Sequence, residues 1–246
     1  QLKFELYHDS ALARLLIDRS LRNRPLIGHR FFWLLKAELH NPDVQERFSL
    51  LLDLYLKHCG EHRAALGHQM FAMQRLHLVS ETVKHLPTHE ERMSSLRREL
   101  AKVSFPRSFQ LPLTPDFFVE GVVSERCRVM KSKMRPLWLH FRQERPLTGE
   151  VMLMYKSGDD LRQDQLTLQL LTVMDRLWKA EGLDMRLSVY GCMSTGNGIG
   201  MIEVVRNSTT FASILCQRTA EKHKSHSRRG NDAAGGAAHR GVFGRK

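Results

Sequence analysis

The chain has 246 residues, 42% hydrophobic and 26% charged, so it holds apolar material for a sizeable core and is not a compositionally disordered polymer. Its net charge is +12, but eight Lys/Arg against Glu221 and Asp232 place half of that charge in residues 217–246. The mildly basic remainder suits an anionic lipid surface or a nucleotide at least as well as DNA or RNA.

Residues 1–21 show no basic segment followed by an apolar one, and no apolar run approaches the ~20 residues that cross a bilayer. Neither a leader nor a membrane span is expected. Cys59, Cys127, Cys192 and Cys216 stand far apart with no C-x-x-C pair, which fits free thiols in a reducing compartment.

Residues 9–103 read as successive helices. Asp9-Ser10 can cap a helix carrying Leu12, Leu15 and Leu16, and a second runs from about Ile27 through Phe31, Trp33 and Leu34 to Leu39. Asn41-Pro42-Asp43 is a turn and helix start, and Val44, Phe48, Leu51, Leu52 and Tyr55 then form an i, i+4, i+7, i+8, i+11 stripe. Gly60 ends that helix. A longer one with Leu66, Met70, Met73, Leu76 and Val83 reaches Pro87, and a polar helix spans 90–103. Short connections between amphipathic helices predict antiparallel pairs stacked as an α-solenoid.

Pro106, Pro112 and Pro115 rule out a continuous helix and mark a linker. Beyond it the pattern turns to short apolar stretches at 118–123, 128–130, 137–141 and 151–155, separated by turn residues, which predict an antiparallel sheet. One helix follows from Asp160 to about Ala180, with Asp160 and Gln163 at capping-box spacing and Leu166, Leu170, Val173, Met174 and Leu177 as its buried stripe. Gly182 stops it, and strands at 185–190 and 200–205 complete an α+β half.

The segment with the most chemistry is Lys156-Ser157-Gly158-Asp159-Asp160-Leu161-Arg162-Gln163-Asp164. A lysine ending an apolar strand is a compact cation on a rigid support, suited to a phosphate. Asp164, one turn into the helix, can hold it by ion pairing, the strand-lysine and helix-acid arrangement of kinases. The string G-D-D-L-R-Q-D resembles the segment that opens the phosphoinositide 3- and 4-kinase fold.

Other pieces fall in that family's order: Cys127 to Leu139 resembles its phosphate-covering loop, and Gly182 to Arg186, Tyr190 to Cys192 and Gly200 to Val205 resemble the strands leading to its adenine hinge. Upstream, Arg22-Asn23-Arg24, Ile27-Gly28-His29 and Phe31 to Leu35 resemble the lipid-kinase helical domain. The resemblance covers roughly residues 8 to 215. It is to the class I catalytic subunits, and the spelling around Trp33, Cys192 to Thr195 and Gly200 to Ile202 is gamma-like.

The resemblance implies a multidomain chain. Residues 1–104 would be the later part of an α-solenoid helical (PIK-type) domain and 105–117 a linker. Residues 118–216 would be an incomplete kinase domain, its antiparallel-sheet-plus-helix N-lobe, and 217–246 a disordered basic tail outside the family pattern. It further implies ATP as cofactor, with Mg2+ ligands lying outside these residues.

Lys156 would contact the phosphates, and Ser132 and Lys133 would sit in the loop above them. Pro136 and Trp138 would pack on the nucleotide. Asp164 matches the helix acid, and Asp159 and Tyr190 match residues at the back of the pocket. Glu203 would offer its backbone carbonyl and Val205 its N–H to adenine, with Met130 and Ile202 lining the apolar slot.

By residue type alone these assignments have plainer counterparts. Met130, Ile202 and Val205 could be core, Trp138 a buried anchor, and Asp159 and Asp160 helix caps. Gly196-x-Gly198-x-Gly200 lies between two strands without a following helix and predicts a hairpin turn rather than a dinucleotide site. The thirteen histidines, His58, His62, His85 and His89 among them, read as solvent-facing helix residues rather than zinc ligands, so no metal site is expected within the chain. Residues 222–229 read as a solvated tail rather than a nucleic-acid patch.

The family's catalytic loop, of D-R-H-x-x-N type, its D-F-G segment and its basic activation segment have no counterpart in these residues, and catalytic residues are therefore not assigned. Residues 217–246 read as translated intron, a shifted frame or an alternative end. The expected parent activity is ATP-dependent phosphorylation of the inositol 3-hydroxyl of phosphoinositides such as the 4,5-bisphosphate, with this fragment inactive alone. It would act in the cytoplasm and at the inner plasma membrane, with a regulatory subunit, Ras-type GTPase or G-protein βγ, and nucleic acid is not an expected partner. The alternative is a non-catalytic helical scaffold with a vestigial nucleotide pocket.

Overall fold

The computed structural model describes residues 5, 6, 8–113, 115, 116, 118–144 and 151–216. The expected tail, 217–246, lies outside the described residues. Residues 1–204 form one compact unit and 205–246 a second.

The first unit begins with α1 (Ser10–Arg22), whose first turn is capped by Asp9 accepting from the N–H groups of Ala11 and Leu12. A π-helical turn, Arg24–Gly28, leads into α2 (His29–Lys36), so the second helix starts later than its apolar pattern suggests. In α3 (Pro42–His58), Asn41 caps the helix, Pro42 takes an early position where no N–H is needed, and all five stripe residues are buried. α4 (His62–Lys84) buries Leu66, Met73, Leu76 and Val83. α5 (His89–Lys102) opens with a capping box between Thr88 and Glu91 that the sequence reading passed over. The buried indole of Trp33 donates to Gln69 at 2.8 Å and joins α2 to α4.

The strands are β1 (Phe109–Gln110), β2 (Phe118–Val122), β3 (Arg128–Val129), β4 (Leu137–Gln143), β5 (Val151–Ser157), β6 (Cys192–Gly196) and β7 (Ile199–Glu203). They form one antiparallel sheet in the order β1-β2-β4-β5-β7-β6, with β3 paired to β4. β1 falls inside the expected linker: Phe109 pairs with Val119 and is fully buried, so the proline-marked segment is partly sheet. Period-two alternation gives the sheet two faces. Leu137, Tyr155, Met201 and Met193 make one cross-strand row of the buried face, and Leu139 lies opposite Leu153 on that same face. α4 packs on β1 and β5, α5 on β3, and α2 on β6. A single core cluster therefore runs from Leu6 through the helices to Met201.

Two expectations about the second half are corrected. Residues 185–190 form no strand; Met185, Leu187 and Tyr190 are exposed, and the hairpin partner of β7 is β6. The helix α6 (Arg162–Ala180) buries Gln165 and Leu168, whereas Leu166, Leu170, Val173, Met174 and Leu177 are 40–62% exposed. Its apolar stripe is real, but among the described residues only the first turns of the helix meet the sheet, at β6. The capping box expected there is also absent: Leu161 is the cap residue, without a side-chain bond, and Asp160 instead accepts from Arg162. The glycine-rich hairpin turn between β6 and β7 is present as expected.

In the second unit, residues 205–216 are described. Thr210 accepts from the Ser213 N–H and opens a helical turn at 211–216, on which Phe211 is 86% exposed.

Candidate nucleotide site

The outer face of the sheet carries Trp138, Met154, Ile202 and Cys192 side by side, one from each of four strands. Lys156, two residues beyond Met154, shares that face and lies opposite Gly200. The row is half-buried and apolar, and the lysine stands at its edge with its side chain 21% exposed.

Lys156 Nζ meets Asp159 Oδ2 at 2.6 Å. The sequence reading gave this role to Asp164, which instead sits exposed in the first turn of α6. The turn explains the substitution of partner. Gly158 takes φ +88, a left-handed conformation, and the N–H groups of Gly158 and Asp159 both donate to Gly198 O, at 2.7 and 3.0 Å. The chain thereby doubles back and brings the carboxylate three residues on against the strand lysine. A Cβ at Gly158 would also approach Met134 Cε to 2.8 Å, so the turn and the 130–136 loop are in contact.

That loop joins β3 to β4 and is closed by Met130 N–H donating to Pro136 O at 2.9 Å. Within it the Ser132 N–H donates to Met130 O, the Arg135 N–H donates to Ser132 O, and Ser132 and Lys133 are exposed at its tip. Trp138 is half-buried with the Arg128 guanidinium 4.3 Å over its ring, and its indole N–H is directed at His140 Nε2, 3.1 Å away. Glu203 closes β7: its N–H donates to Gly191 O, and its carboxylate accepts from the Gly191 N–H, both at 2.8 Å. Tyr190 lies in the exposed irregular stretch, and Val205, exposed, opens the second unit. The sheet and its turns thus bring together Lys156, Asp159, Trp138 and Ile202, with Met130 and Pro136 at the base of the covering loop. Tyr190 and Val205 are not among the contacts of this cluster, and Asp164 bears on it through the charge it places near Cys192.

Several residues have a role here that the sequence did not assign to them. Met154 and Cys192 complete the apolar row and are visible only through register. The Cys192 thiol is pushed up to about 11 by burial, then by the Asp164 carboxylate, with Lys156 opposing, so it is held as a neutral thiol. Gly200 is required because a Cβ there would fall 2.4 Å from Met193 O and 2.7 Å from Leu161 Cδ1. Arg162 grips Asp160 through Nε and Nη2, and this hydrogen bonding lowers the Asp160 carboxyl to about 2.

Among the described residues no cluster of three or more His, Cys, Asp or Glu could hold a metal ion, so the residues present do not fit a divalent cation. Their chemistry suits the phosphate and ring portions of a nucleotide: a fixed cation, an exposed loop carrying Ser132 and Lys133, and a flat apolar row.

The architecture defined by these elements is a PIK helical domain followed by the antiparallel sheet of a kinase N-lobe. Comparison with known proteins agrees. Residues 1–68 match the accessory (PIK) domain of the phosphoinositide 3-kinase family, and residues 150–234 match the phosphatidylinositol 3- and 4-kinase family. The second match runs past Cys216 into the residues expected to leave the family pattern.

Phosphatidylinositol 3-kinase 2 of Dictyostelium discoideum is 48% identical over 213 residues, 87% of this chain and 12% of that protein. Phosphatidylinositol 3-kinase 1 of the same organism is 45% identical over 87% of this chain and 13% of its own length. Phosphatidylinositol 3-kinase 3 is 36% identical over the same shares. The chain carries PIK and kinase sequence of the phosphoinositide 3-kinase family, and spans about an eighth of the relatives it matches. These relatives do not single out the gamma isoform.

Proposed function

We propose that the chain is the helical and nucleotide-binding portion of an ATP-dependent class I lipid kinase that phosphorylates the 3-hydroxyl of phosphatidylinositol, the 4,5-bisphosphate included. The observation that carries this reading is the Lys156–Asp159 pair at 2.6 Å, which joins the lysine at the edge of an apolar cross-strand row to the second residue of the G-D-D-L-R-Q-D string. The names of the relatives support it. The gamma-like assignment rests on residue spelling alone.

In this reading Lys156 binds the phosphates, Ser132 and Lys133 cover them, and Trp138, Met154 and Ile202 receive the flat base. Asp159 orients the lysine and would yield it to an incoming phosphate. Mg2+ would be held by residues outside this chain's described set. The parent would work at the inner face of the plasma membrane with a regulatory subunit, Ras-type GTPase or G-protein βγ. Positioning and metal-borne charge stabilisation supply nearly all phosphoryl-transfer catalysis, so these 246 residues bind nucleotide without turning over lipid.

Titration with a fluorescent ATP analogue tests the reading. Saturable binding weakened by about tenfold or more in Lys156→Met, roughly 1.4 kcal/mol per decade, is the expected result. Wild-type protein that is folded but binds no nucleotide would sink it and leave the helical scaffold as the better account.

A further inference from the structure

Residues 156–162 contain the lysine, its partner Asp159 and the start of α6, and carboxylates from the helical domain grip this stretch near both ends. Near its start, Ser157 Oγ donates to Glu81 Oε1 at 2.8 Å, and Lys84 Nζ lies 3.4 Å from Ser157 O. Both Glu81 and Lys84 belong to the last turn of α4. At the other end, Arg162 Nη1 donates to Glu38 Oε2 at 2.9 Å, and the Glu38 side chain is fully buried beyond the end of α2. The same guanidinium holds Asp160, next to Asp159. A third contact joins the system: the Arg135 guanidinium, from the end of the covering loop, donates to the Lys84 carbonyl.

Between Ser157 and Asp160 lie only the left-handed Gly158 and Asp159, whose N–H groups share one acceptor, Gly198 O. The position of the Asp159 carboxylate against Lys156 is therefore set by where Ser157 and Arg162 are held. The sheet fixes part of the turn, through Ser157 paired with Ile199 and Gly198 O at its centre, and the helical domain adds the side-chain holds on Ser157 and Arg162. At the Glu38 end a buried carboxylate faces the guanidinium that also holds Asp160, so one cation ties the end of α2 to the turn.

We propose that Glu81 and Glu38 are positioning residues for the nucleotide lysine: the helical domain sets the geometry of the 156–162 turn, and displacement of α4 or of the end of α2 is read out as a change in nucleotide affinity. This rests on the reading of Lys156 as the nucleotide lysine. Neither carboxylate touches the outer face of the sheet; each acts through a residue of the turn.

The test uses the full 246-residue chain, with a fluorescent ATP analogue as probe and amide hydrogen exchange measured without nucleotide. Ser157→Ala and Glu81→Ala should each weaken binding by about 3–10-fold, and the double variant by no more than the worse single one, because both remove one contact. Glu81→Gln keeps an acceptor oxygen for Ser157 and should restore most of the affinity, which a loss of packing alone would not allow. Exchange should quicken at 156–162 and stay unchanged in α3. At the other end, Arg162→Lys should behave like Glu81→Ala; if it fails to fold, the Ser157–Glu81 end decides. Folded Ser157→Ala and Glu81→Ala proteins with wild-type affinity overturn the proposal, as do unchanged exchange rates at 156–162. If the wild-type chain binds no analogue, the nucleotide reading has failed, and the exchange data alone decide whether the carboxylates position the turn.

Discussion

His62 and Tyr55 meet at 2.7 Å between Nδ1 and the phenol oxygen, and His29 Nε2 donates to Pro112 O at 2.7 Å. One hydrogen bond joins the Tyr55 hydroxyl to the neutral His62 ring. Burial first, then the charges of His29 and Arg24, hold its pKa down at about 4, and burial also lowers that of His29. In the unfolded chain both rings titrate near the ordinary 6.5, so between about 4 and 6.5 the unfolded state binds protons that the folded state refuses. The His62 contribution to stability is complete above pH 6.5 and is lost as pH falls toward 4, and that of His29 is lost in the same direction. Urea midpoints should drop between pH 7.5 and pH 5, and His62→Gln should flatten that slope; an equal slope in the variant would remove His62 as the cause. The Asp160 carboxyl, held at about 2, loses its contribution only below its ordinary 3.8 and does not overlap this window. No histidine in this cluster was singled out by spacing as more than a solvent-facing helix residue. Their burial arises from the linker and α3 folding onto α2.

At the scale of elements, α3 and α6 make an instructive pair. Both carry the same i, i+4, i+7, i+8, i+11 apolar spacing, and in α3 every one of those residues is buried while in α6 every one is exposed. Periodicity reports that a helix has an apolar face, not that a neighbour covers it. The exposed α6 stripe is an apolar patch of the kind that drives association. Leu170→Lys with Leu177→Lys should leave the melting temperature nearly unchanged, since exposed substitutions shift stability by about 0.5 kcal/mol or less, while reducing dye binding and light scattering. A drop of several degrees would show that these leucines are covered in solution.

For the whole of the first unit, the relevant fact is that helices and sheet share one apolar core from Leu6 to Met201. Across the boundary Phe105 stacks on Phe109 and meets Phe141 edge-on, with ring centroids 5.7 and 6.3 Å apart. Trp33–Gln69, His29–Pro112, Ser157–Glu81 and Arg162–Glu38 add polar ties over sequence separations of 36 to 124 residues. The unit should therefore unfold in a single calorimetric transition, and residues 1–104 expressed alone should melt well below it or fail to fold. Two resolved transitions, or an equally stable helical piece, would show that the proline-marked boundary separates independent domains.

Within that frame, what the sequence determined by itself is local or literal. Caps and apolar spacing placed the helices, because a helix answers to residues within four of each other. Alternation and turn residues placed most strands, and an uncommon seven-residue string marked the lysine turn. The tertiary structure decided the rest: that Asp159 rather than Asp164 meets Lys156, that 185–190 pairs with nothing in the sheet, that a strand hides in the proline segment, and that two distant glutamates hold the turn. Those outcomes depend on backbone conformation at Gly158 and on contacts between residues far apart in the chain, and no periodicity in one segment carries information about the surface it will meet.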